Sequence, residues 1–368
     1  MNAVTRPERL ARLLPEHGID QLLVGDLVRP GDSTPDAISN LRWLTGFSGT
    51  SGLAIVGAED RVFLTDFRYV ERAKREVDAE FERATAEREL LDAALPRLRG
   101  RVGYDEAQTS VKSLRKLEQG VPEEVELVAA GGLVERLRRR KDADELRAIA
   151  EAARLADEVY GWIFDRGVVG RTEREIMLDA HQRMRELGAD DPAFPAIVAA
   201  GANGALPHHS SSDRPVGAGE LLLIDMGAIV DGYCSDCTRT VAVGEIDDEA
   251  HEVYELVRSA QEMALAAIHA GVPARDADSV ARDPIVSAGH GEHFGHGLGH
   301  GVGLEVHEAP RVSQRSDQTL ETGDVVTVEP GVYLPGRLGV RIEDLVTVAD
   351  DGCRNFSSFP KELTVVDS

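Results

Sequence analysis

Apolar residues along the first third of the chain form short runs separated by polar, helix-like segments. Three of these runs predict strands, at Gln21–Val24, Gly52–Val56 and Arg61–Leu64. Helical spacing predicts helices at Glu8–His17 and Tyr69–Val77. We therefore expect a mixed α/β domain over residues 1–131, with Trp43 and Phe47 in its core or at its rim.

A second pattern begins after Gly131-Gly132, where Leu133–Lys141 is a basic connecting segment. Asp142 followed by Glu145 has the spacing of a capping box and predicts the start of a helix. Apolar residues at helical spacing continue this helix, at Leu146, Ile149, Ala153, Ala156, Tyr160 and Ile163. Another helix is predicted over Glu252–His269, with Gly271 and Pro273 ending it. Long helices beside hairpins indicate an α+β domain over residues 132–368.

The first hairpin of this domain brings two aspartates together. Leu221–Asp225 and Tyr233–Val243 are predicted as strands around an Asp231-Gly232 turn. This turn places Asp225 opposite Thr238, and Asp236 shares the face of Thr238 because side chains alternate along a strand. Both carboxylates then point the same way, close enough to share two metal ions.

A second hairpin repeats the arrangement with two glutamates. A turn centred on Pro335-Gly336-Arg337 places Glu329 opposite Glu343, with Arg341 on the same face, where it can orient a ligand carboxylate. The glycine- and histidine-rich segment at 294–310 adds imidazoles. Spacing alone does not decide whether His296 or His300 is the metal ligand. Together these segments supply the ligands of a paired divalent-metal site, and a hydrolase is the hypothesis that they favour.

Surface charge and a cysteine-based site are the alternatives to the metal site. A single acid in a chain with 65 Asp and Glu residues would be solvated surface charge, but two hairpins that each present a same-face pair argue against that reading. Cys234 and Cys237 form a C-x-x-C that could indicate zinc or redox chemistry. In a strand they point to opposite faces, and Cys353 is the only other cysteine, so neither a zinc site nor a disulfide framework is expected.

The segments DMGAIVDGYCSDCTRT, HGLGHGVGLEVHE, VEPGVY and VRIED resemble those of the pita-bread metallopeptidases, family M24, which contains prolidase, aminopeptidase P and methionine aminopeptidase. NLRWLTGFSGTSGLAIV and VFLTDFRYVERA resemble the smaller α/β domain that precedes the catalytic domain in prolidases, aminopeptidases P and creatinases. The resemblance implies a C-terminal pita-bread domain with five metal ligands, Asp225, Asp236, His300, Glu329 and Glu343. It also matches His208, His307 and His296 to active-site histidines. It assigns no role to His290 or His293. His209 is ambiguous beside His208, and the spacing from Asp225 favours His208.

By this resemblance the chain is expected to hydrolyse Xaa-Pro bonds with two divalent ions, manganese or cobalt before zinc, and to form a homodimer. The ions would activate a water, and Glu329 could pass the proton of that water to the leaving nitrogen. Prolidase is the first expectation and aminopeptidase P the second. Methionine aminopeptidases usually lack the N-terminal domain, and creatinases do not retain this metal set. A catalytically silent binding protein on the same fold is the alternative from another class.

Charge and composition limit the partners and the setting. The 368 residues carry a net charge of −24, which disfavours nucleic acid because the phosphates would be repelled. The sequence contains no apolar run long enough for a signal peptide or a membrane span, and three cysteines suit a reducing cytoplasm. Dispersed acids, with 29% charged and 5% aromatic residues, are typical of proteins from a high-salt cytoplasm.

Overall fold

The computed structural model describes residues 4–25, 27 and 35–366. The chain divides into two compact units, of which the first ends at Arg138 and the second begins at Arg139. Part of the predicted basic connecting segment is helical: Leu133–Arg138 packs against other helices of the first unit and buries Leu133 and Val134. Leu133 and Val134 explain why this part of the segment is helical, since a helix lets both apolar side chains pack into the core. The domain boundary after residue 131 stays a prediction.

The first unit is built on one six-stranded mixed sheet. Its helices are α1 (Arg6–Leu13), α2 (Pro35–Thr45), α3 (Val70–Glu76), α4 (Leu90–Ala94), α5 (Val111–Gly120) and α6 (Leu133–Arg138), with 3-10 turns at Leu14–His17 and Leu95–Arg97. Its strands are β1 (Gln21–Gly25), β2 (Gly52–Gly57), β3 (Arg61–Thr65), β4 (Glu82–Thr85), β5 (Arg101–Tyr104) and β6 (Glu126–Ala129), in the order β4-β3-β2-β1-β5-β6. The α/β prediction for this region is confirmed.

Local signals account for the ends of these elements. Helix α1 begins two residues before its predicted start because the Thr5 side chain accepts a hydrogen bond from Glu8 N, while Glu8 caps Thr5 in return. The exposed fractions of Trp43 and Phe47 are 2% and 0%, which confirms them as core residues. Burial of these two rings removes a large apolar area from water.

The second unit combines long helices with several short sheets. Its helices are α7 (Ala143–Asp165), α8 (Glu173–Glu186), α9 (Asp248–Ala267) and α10 (Ala274–Ser287), with 3-10 turns at Gly201–Ala205 and Gly291–His293. Its first strands are β7 (Asp191–Pro192), β8 (Ile197–Ala200), β9 (Glu220–Met226), β10 (Ala228–Val230), β11 (Tyr233–Cys234) and β12 (Cys237–Val243). Its later strands are β13 (Gly299–Gly301), β14 (Glu308–Val312), β15 (Val325–Val328), β16 (Gly331–Leu334), β17 (Leu338–Arg341), β18 (Asp344–Ala349), β19 (Gly352–Asn355) and β20 (Val365–Val366).

Three cores hold these layers together. One core joins α7 and α8 to strands β8, β9 and β12, and another joins α9 and α10 to strands β14 to β18. A smaller core packs α7 against β11, β15 and β18. The predicted capping box at Asp142 and Glu145 is present at the start of α7. Helix α9 begins four residues earlier than predicted because Asp247 caps it through a hydrogen bond from Ala250 N. The α+β prediction is confirmed.

Both hairpin registers follow the prediction. Asp225 pairs with Thr238 across β9 and β12, and the turn residues Asp231 and Gly232 have φ of 51° and 78°, as a tight hairpin turn requires. Val328 pairs with Asp344, and Gly331 pairs with Arg341. These two pairings belong to one register, which places Glu329 opposite Glu343.

The structure differs from the prediction within Tyr233–Val243, which is two strands and not one. A break lies at Ser235 and Asp236, between β11 and β12. The Ser235 carbonyl oxygen approaches Gly227 so closely that a Cβ at residue 227 would lie 1.9 Å from it. Ser235 N also donates to Ala228 O. The break therefore needs glycine opposite it, and it carries Asp236 at the point where the chain bends.

No helix among the described residues has both the length and the apolar character needed to cross a membrane.

Candidate metal centre

The acid-bearing hairpins and the glycine- and histidine-rich segment meet at a cavity of about 1020 Å³ in the second unit. All nine residues that the sequence singles out line this cavity: His208, Asp225, Asp236, His296, His300, His307, Glu329, Arg341 and Glu343. Their side chains come from β9, the β11–β12 break, β13, β17 and the loops beside them. The structure thus brings together residues that lie more than a hundred positions apart in the chain.

The centre of the cavity is a cluster of acids around one imidazole. Asp236, His300 and Glu343 each offer a ligand atom, and these atoms all lie within 4.8 Å of one another. His300 Nε2 lies 3.3 Å from Glu329 Oε1 and 3.7 Å from Asp236 Oδ2. Such a spacing of oxygen and nitrogen donors is suited to a shared cation.

Arg341 supports the cluster from one side. Its NH2 donates to Asp225 Oδ2 at 2.6 Å, and its Nε donates to Thr238 Oγ1 at 3.0 Å. The Thr238 hydroxyl in turn donates to Glu343 Oε2 at 2.7 Å. One buried guanidinium therefore orients an aspartate directly and a glutamate through a hydroxyl, which is the position expected of it.

The electrostatics of the cluster are those of several negative charges held out of water. Burial raises the pKa of Asp236 well above its usual range, and the charges of Glu343 and Asp225 raise it further. Burial likewise raises the pKa of Glu343, with added repulsion from Glu329 and Asp225. Burial also acts to raise the pKa of Glu329, but the hydrogen bond and charge of His300 outweigh it and lower the value to about 2.

Two carboxylate oxygens at this centre are unpartnered. Among the described residues, Asp225 Oδ1 and Glu343 Oε1 are buried and accept no hydrogen bond. The other oxygen of each group is already occupied, by Arg341 and by Thr238 respectively. A buried acceptor without a donor is costly, and a cation would satisfy both oxygens. The donor set of carboxylates and one imidazole therefore fits divalent metal ions.

Three further histidines surround the acids. His307 lies against His300, with ring centroids 4.2 Å apart, and its pKa is lowered by burial and then by the charge of His300. Burial lowers the pKa of His296, whose Nε2 lies 2.8 Å from the Tyr333 hydroxyl. His208 faces the cavity from the opposite loop. The His296 Nδ1 also lies 2.8 Å from the Gly297 carbonyl oxygen, so both ring nitrogens of His296 have partners within the protein.

The histidines without a predicted role lie at different distances from the cavity. His293 lines it, and its Nδ1 lies 3.2 Å from that of His290. His209 turns away from it and contacts Glu173.

Cys234 and Cys237 belong to two different cores, as their predicted opposite orientation requires. Burial raises the pKa of the Cys237 thiol, which makes it unreactive.

Tyr333 is a cavity residue that the sequence analysis did not single out. Its hydroxyl accepts a hydrogen bond from Arg341 NH1 at 3.1 Å and also contacts His296, so it links the guanidinium to the glycine- and histidine-rich segment. A signal for it was present, since period-two alternation from Glu329 places residue 333 on the same face.

Comparisons with known proteins agree with this geometry. A model described as metallopeptidase family M24 matches residues 147–350, and one described as the creatinase/prolidase N-terminal domain matches residues 6–140. The chain is 32% identical to an Xaa-Pro dipeptidase of Pyrococcus furiosus over 369 residues, covering 97% of this chain and 99% of the relative. It is 38% identical to a peptidase of Bacillus subtilis over 98% of this chain and 99% of that one.

Solved structures show the same overall likeness. An Xaa-Pro dipeptidase from Bacillus anthracis superposes with a TM-score of 0.91 at 36% identity, covering 98% of this chain and 99% of the other. An X-Pro aminopeptidase from Thermotoga maritima gives a TM-score of 0.89 at 36% identity, with 98% and 100% covered. Both units of the chain thus have counterparts in these relatives.

Proposed function

The chain belongs to metallopeptidase family M24, and we propose that within it the chain is a prolidase, which hydrolyses the bond before proline in Xaa-Pro dipeptides. The observation that carries the proposal is the pair of buried, unpartnered oxygens, Asp225 Oδ1 and Glu343 Oε1, within the described acid cluster. Relatives that align over almost the whole chain and are called Xaa-Pro dipeptidases supply the substrate class.

The proposed ligands of two divalent cations are Asp225, Asp236, His300, Glu329 and Glu343. Hard carboxylate oxygens with one imidazole favour manganese or cobalt, and zinc is the third candidate. Such cations, when bound, polarise a scissile carbonyl and lower the pKa of a water. Metal analysis of protein reconstituted with manganese or cobalt should approach two ions per chain.

Glu329 is the proposed proton carrier. Its carboxylate faces the cavity, so in its ionised form it can accept a proton from the water that attacks the carbonyl carbon. The same proton then passes to the nitrogen that leaves as the C–N bond breaks. Glu329 ends the cycle ionised again, which balances the reaction.

His208, His296 and His307 are proposed to contact the substrate. His307, uncharged at neutral pH because its pKa is lowered, can donate a hydrogen bond to the carbonyl oxygen on which charge develops. Proline lacks an amide N–H, so a site that binds its ring and carboxyl end loses nothing by the absence of that donor. Apolar lining residues such as Phe194 and Ile197 offer a surface for the ring.

A panel of peptides tests the proposal. Manganese-loaded protein in high salt is offered Leu-Pro, Leu-Pro-Pro-Gly, Leu-Ala, a Met-Gly peptide and creatine. Cleavage mainly of Leu-Pro supports a prolidase. Release of methionine without any Xaa-Pro cleavage would overturn it, and no turnover of any substrate with both metal sites filled would favour a binding protein.

An aminopeptidase P is the second candidate, and two observations favour it. The cavity of about 1020 Å³ is at the upper end of ordinary ligand pockets and has room for more than a dipeptide. The X-Pro aminopeptidase of Thermotoga maritima is also as similar in sequence, at 36% identity, as the dipeptidase of Bacillus anthracis. Preference for Leu-Pro-Pro-Gly over Leu-Pro in the same assay would move the assignment to this activity.

The proposed setting is a cytoplasmic homodimer in a salt-rich cell. The net charge of −24 supports a salt-rich cell, because salt screens the repulsion between acids. The small number of cysteines, three, supports a reducing compartment. Light scattering at molar potassium chloride tests the dimer, because a monomer would scatter as 39.8 kDa.

A further inference from the structure

One buried carboxylate fixes the loop that carries His208. Glu173 is the first residue of helix α8, and its side chain is fully buried. Its Oε1 accepts hydrogen bonds from Ala200 N at 2.9 Å and Asn203 Nδ2 at 2.8 Å. Its Oε2 is within hydrogen-bond distance of His209 Nε2 at 2.7 Å, Ser212 N at 2.9 Å and Ser212 Oγ at 2.6 Å. The carboxylate therefore joins the end of β8, the 3-10 turn and the segment at 209–212.

His208 and His209 are adjacent in the chain, but their side chains point in different directions. His208 lines the cavity, whereas the His209 side chain is 10% exposed and ends on Glu173. On the cavity side, the Pro207 carbonyl accepts a hydrogen bond from Arg341 NH1 at 3.3 Å. The chain at 207–209 is thus held on one side by Arg341 and on the other by Glu173.

The ionised form of Glu173 is the one that suits these contacts. Burial acts to raise its pKa, but the hydrogen bonds from Ala200 N, Ser212, Asn203 and His209 outweigh it and lower the pKa. An ionised carboxylate only accepts hydrogen bonds, so it can satisfy five donors at once. An amide in its place would turn an NH2 group toward at least two of those donors.

We propose that Glu173 and His209 are positioning residues that set the place of His208 in the substrate cavity. His209 acts here as a hydrogen-bond donor to Glu173 and does not touch the substrate. The inference rests on the proposed function, because it takes His208 to contact the peptide.

Variants of His209 separate a donor from a substrate ligand. A glutamine amide can replace Nε2 as the donor, whereas a leucine of similar size cannot. We expect H209L to raise the KM for the cleaved peptide on the order of tenfold with little change in kcat, and H209Q to restore most of the loss. Equal impairment of H209Q and H209L, or an unchanged KM in H209L, would overturn the proposal.

Glu173→Gln tests the other half of the pair, with Glu175→Gln as its matched control. Glu175 lies on the same first turn of α8, and its Oε2 accepts hydrogen bonds from Thr172 N at 2.8 Å and Thr172 Oγ1 at 3.0 Å. Both variants should lose some stability, but only E173Q should raise KM. Metal content should equal that of the wild type in both, since neither residue contacts the proposed ligands.

Hydrogen exchange tests the loop without any substrate. The amides of Ala200 and Ser212 donate to Glu173, so they should exchange faster in E173Q than in E175Q. Faster exchange alongside an inactive wild type would count against the proposed function alone. Unchanged exchange at both amides would refute the positioning role whatever the substrate is.

Discussion

The two units each contain a group of carboxyls held close together, and they balance the charge in different ways. In the first unit, Asn40 Nδ2 and Gln108 Nε2 donate to Glu135 Oε1 at 2.6 and 3.0 Å. Burial, followed by the negative charge of Glu135, raises the pKa of the neighbouring Asp105 to about 6. Amide donors thus stabilise this half-buried pair, and Asp105 takes up a proton at a higher pH than usual.

The group in the second unit has more acids and fewer donors. Arg341 and Thr238 occupy one oxygen each of Asp225 and Glu343, and the remaining oxygens of these two acids are buried without a partner in the described structure. Protons alone would leave acceptors unsatisfied, whereas divalent cations would neutralise several acids together. The comparison teaches that closeness of acids does not by itself identify a metal site, and that the second group differs by having two unpartnered buried oxygens within one cluster of acids.

The largest effect is expected from Asp236→Asn. Loss of a proposed ligand should lower kcat by more than the roughly 10–100-fold typical of residues behind the ligands, and metal analysis should find fewer than two ions per chain. The metal-free variant should melt above metal-free wild type at pH 7, because one of several repelling buried charges is gone.

Asp105→Asn is the control for this variant, since it removes a charge from the other acid group. It should keep full activity and metal content. If D236N bound two ions and turned over normally, the distinction between the two acid groups would fail.

Arg341→Met comes next in size. Removal of one partner of a buried ion pair should lower the free energy of unfolding by about 3–5 kcal/mol. Loss of a residue that orients a metal ligand should weaken metal affinity about 10–100-fold. Calorimetry and metal titration measure the two effects. Arg337→Met, in the exposed turn of the same hairpin, should change neither by a comparable amount. Wild-type metal affinity in R341M would show that the guanidinium does not orient Asp225.

A smaller effect is expected from salt, which acts on the exposed acids of both units. The net charge of −24 is self-repelling at low ionic strength, and the Debye length falls from about 10 Å at 0.1 M to about 3 Å at 1 M. The melting temperature and activity should therefore rise toward molar potassium chloride. Salt should not restore activity to metal-free protein, because screening does not reach the buried oxygens. A flat or falling melting temperature would contradict the high-salt interpretation.

The smallest effect concerns Asp105 and pH. Its pKa is raised in the folded state, so its contribution to stability is present below its usual value near 3.8 and is lost as pH rises through about 6. Asp105→Asn should flatten the fall in melting temperature between pH 4 and pH 7, by a few degrees at most. A variant with the same pH profile as wild type would show that the pKa of Asp105 is not raised in the folded protein.

Local sequence rules were sufficient for the hairpin registers and for the start of helix α7. The register at Asp225 and Thr238 follows from the Asp231-Gly232 turn and period-two alternation, both of which are properties of neighbouring residues. They were not sufficient at Ser235 and Asp236, where the strand breaks because the Ser235 carbonyl packs on Gly227. Gly227 lies between β9 and β10, and Ser235 lies between β11 and β12, so the pattern of a single strand does not reveal the contact.

The sequence by itself determined which acids share a face, where the hairpins turn and which family the segments resemble. Only the tertiary structure decided that Arg341 reaches Asp225, that two carboxylate oxygens have no donor in the described structure, and that His209 turns to Glu173 while His208 faces the cavity. The physical reason is range. Turns and alternation act over a few residues, whereas hydrogen-bond satisfaction in a buried site depends on atoms that the folded chain brings together from distant segments.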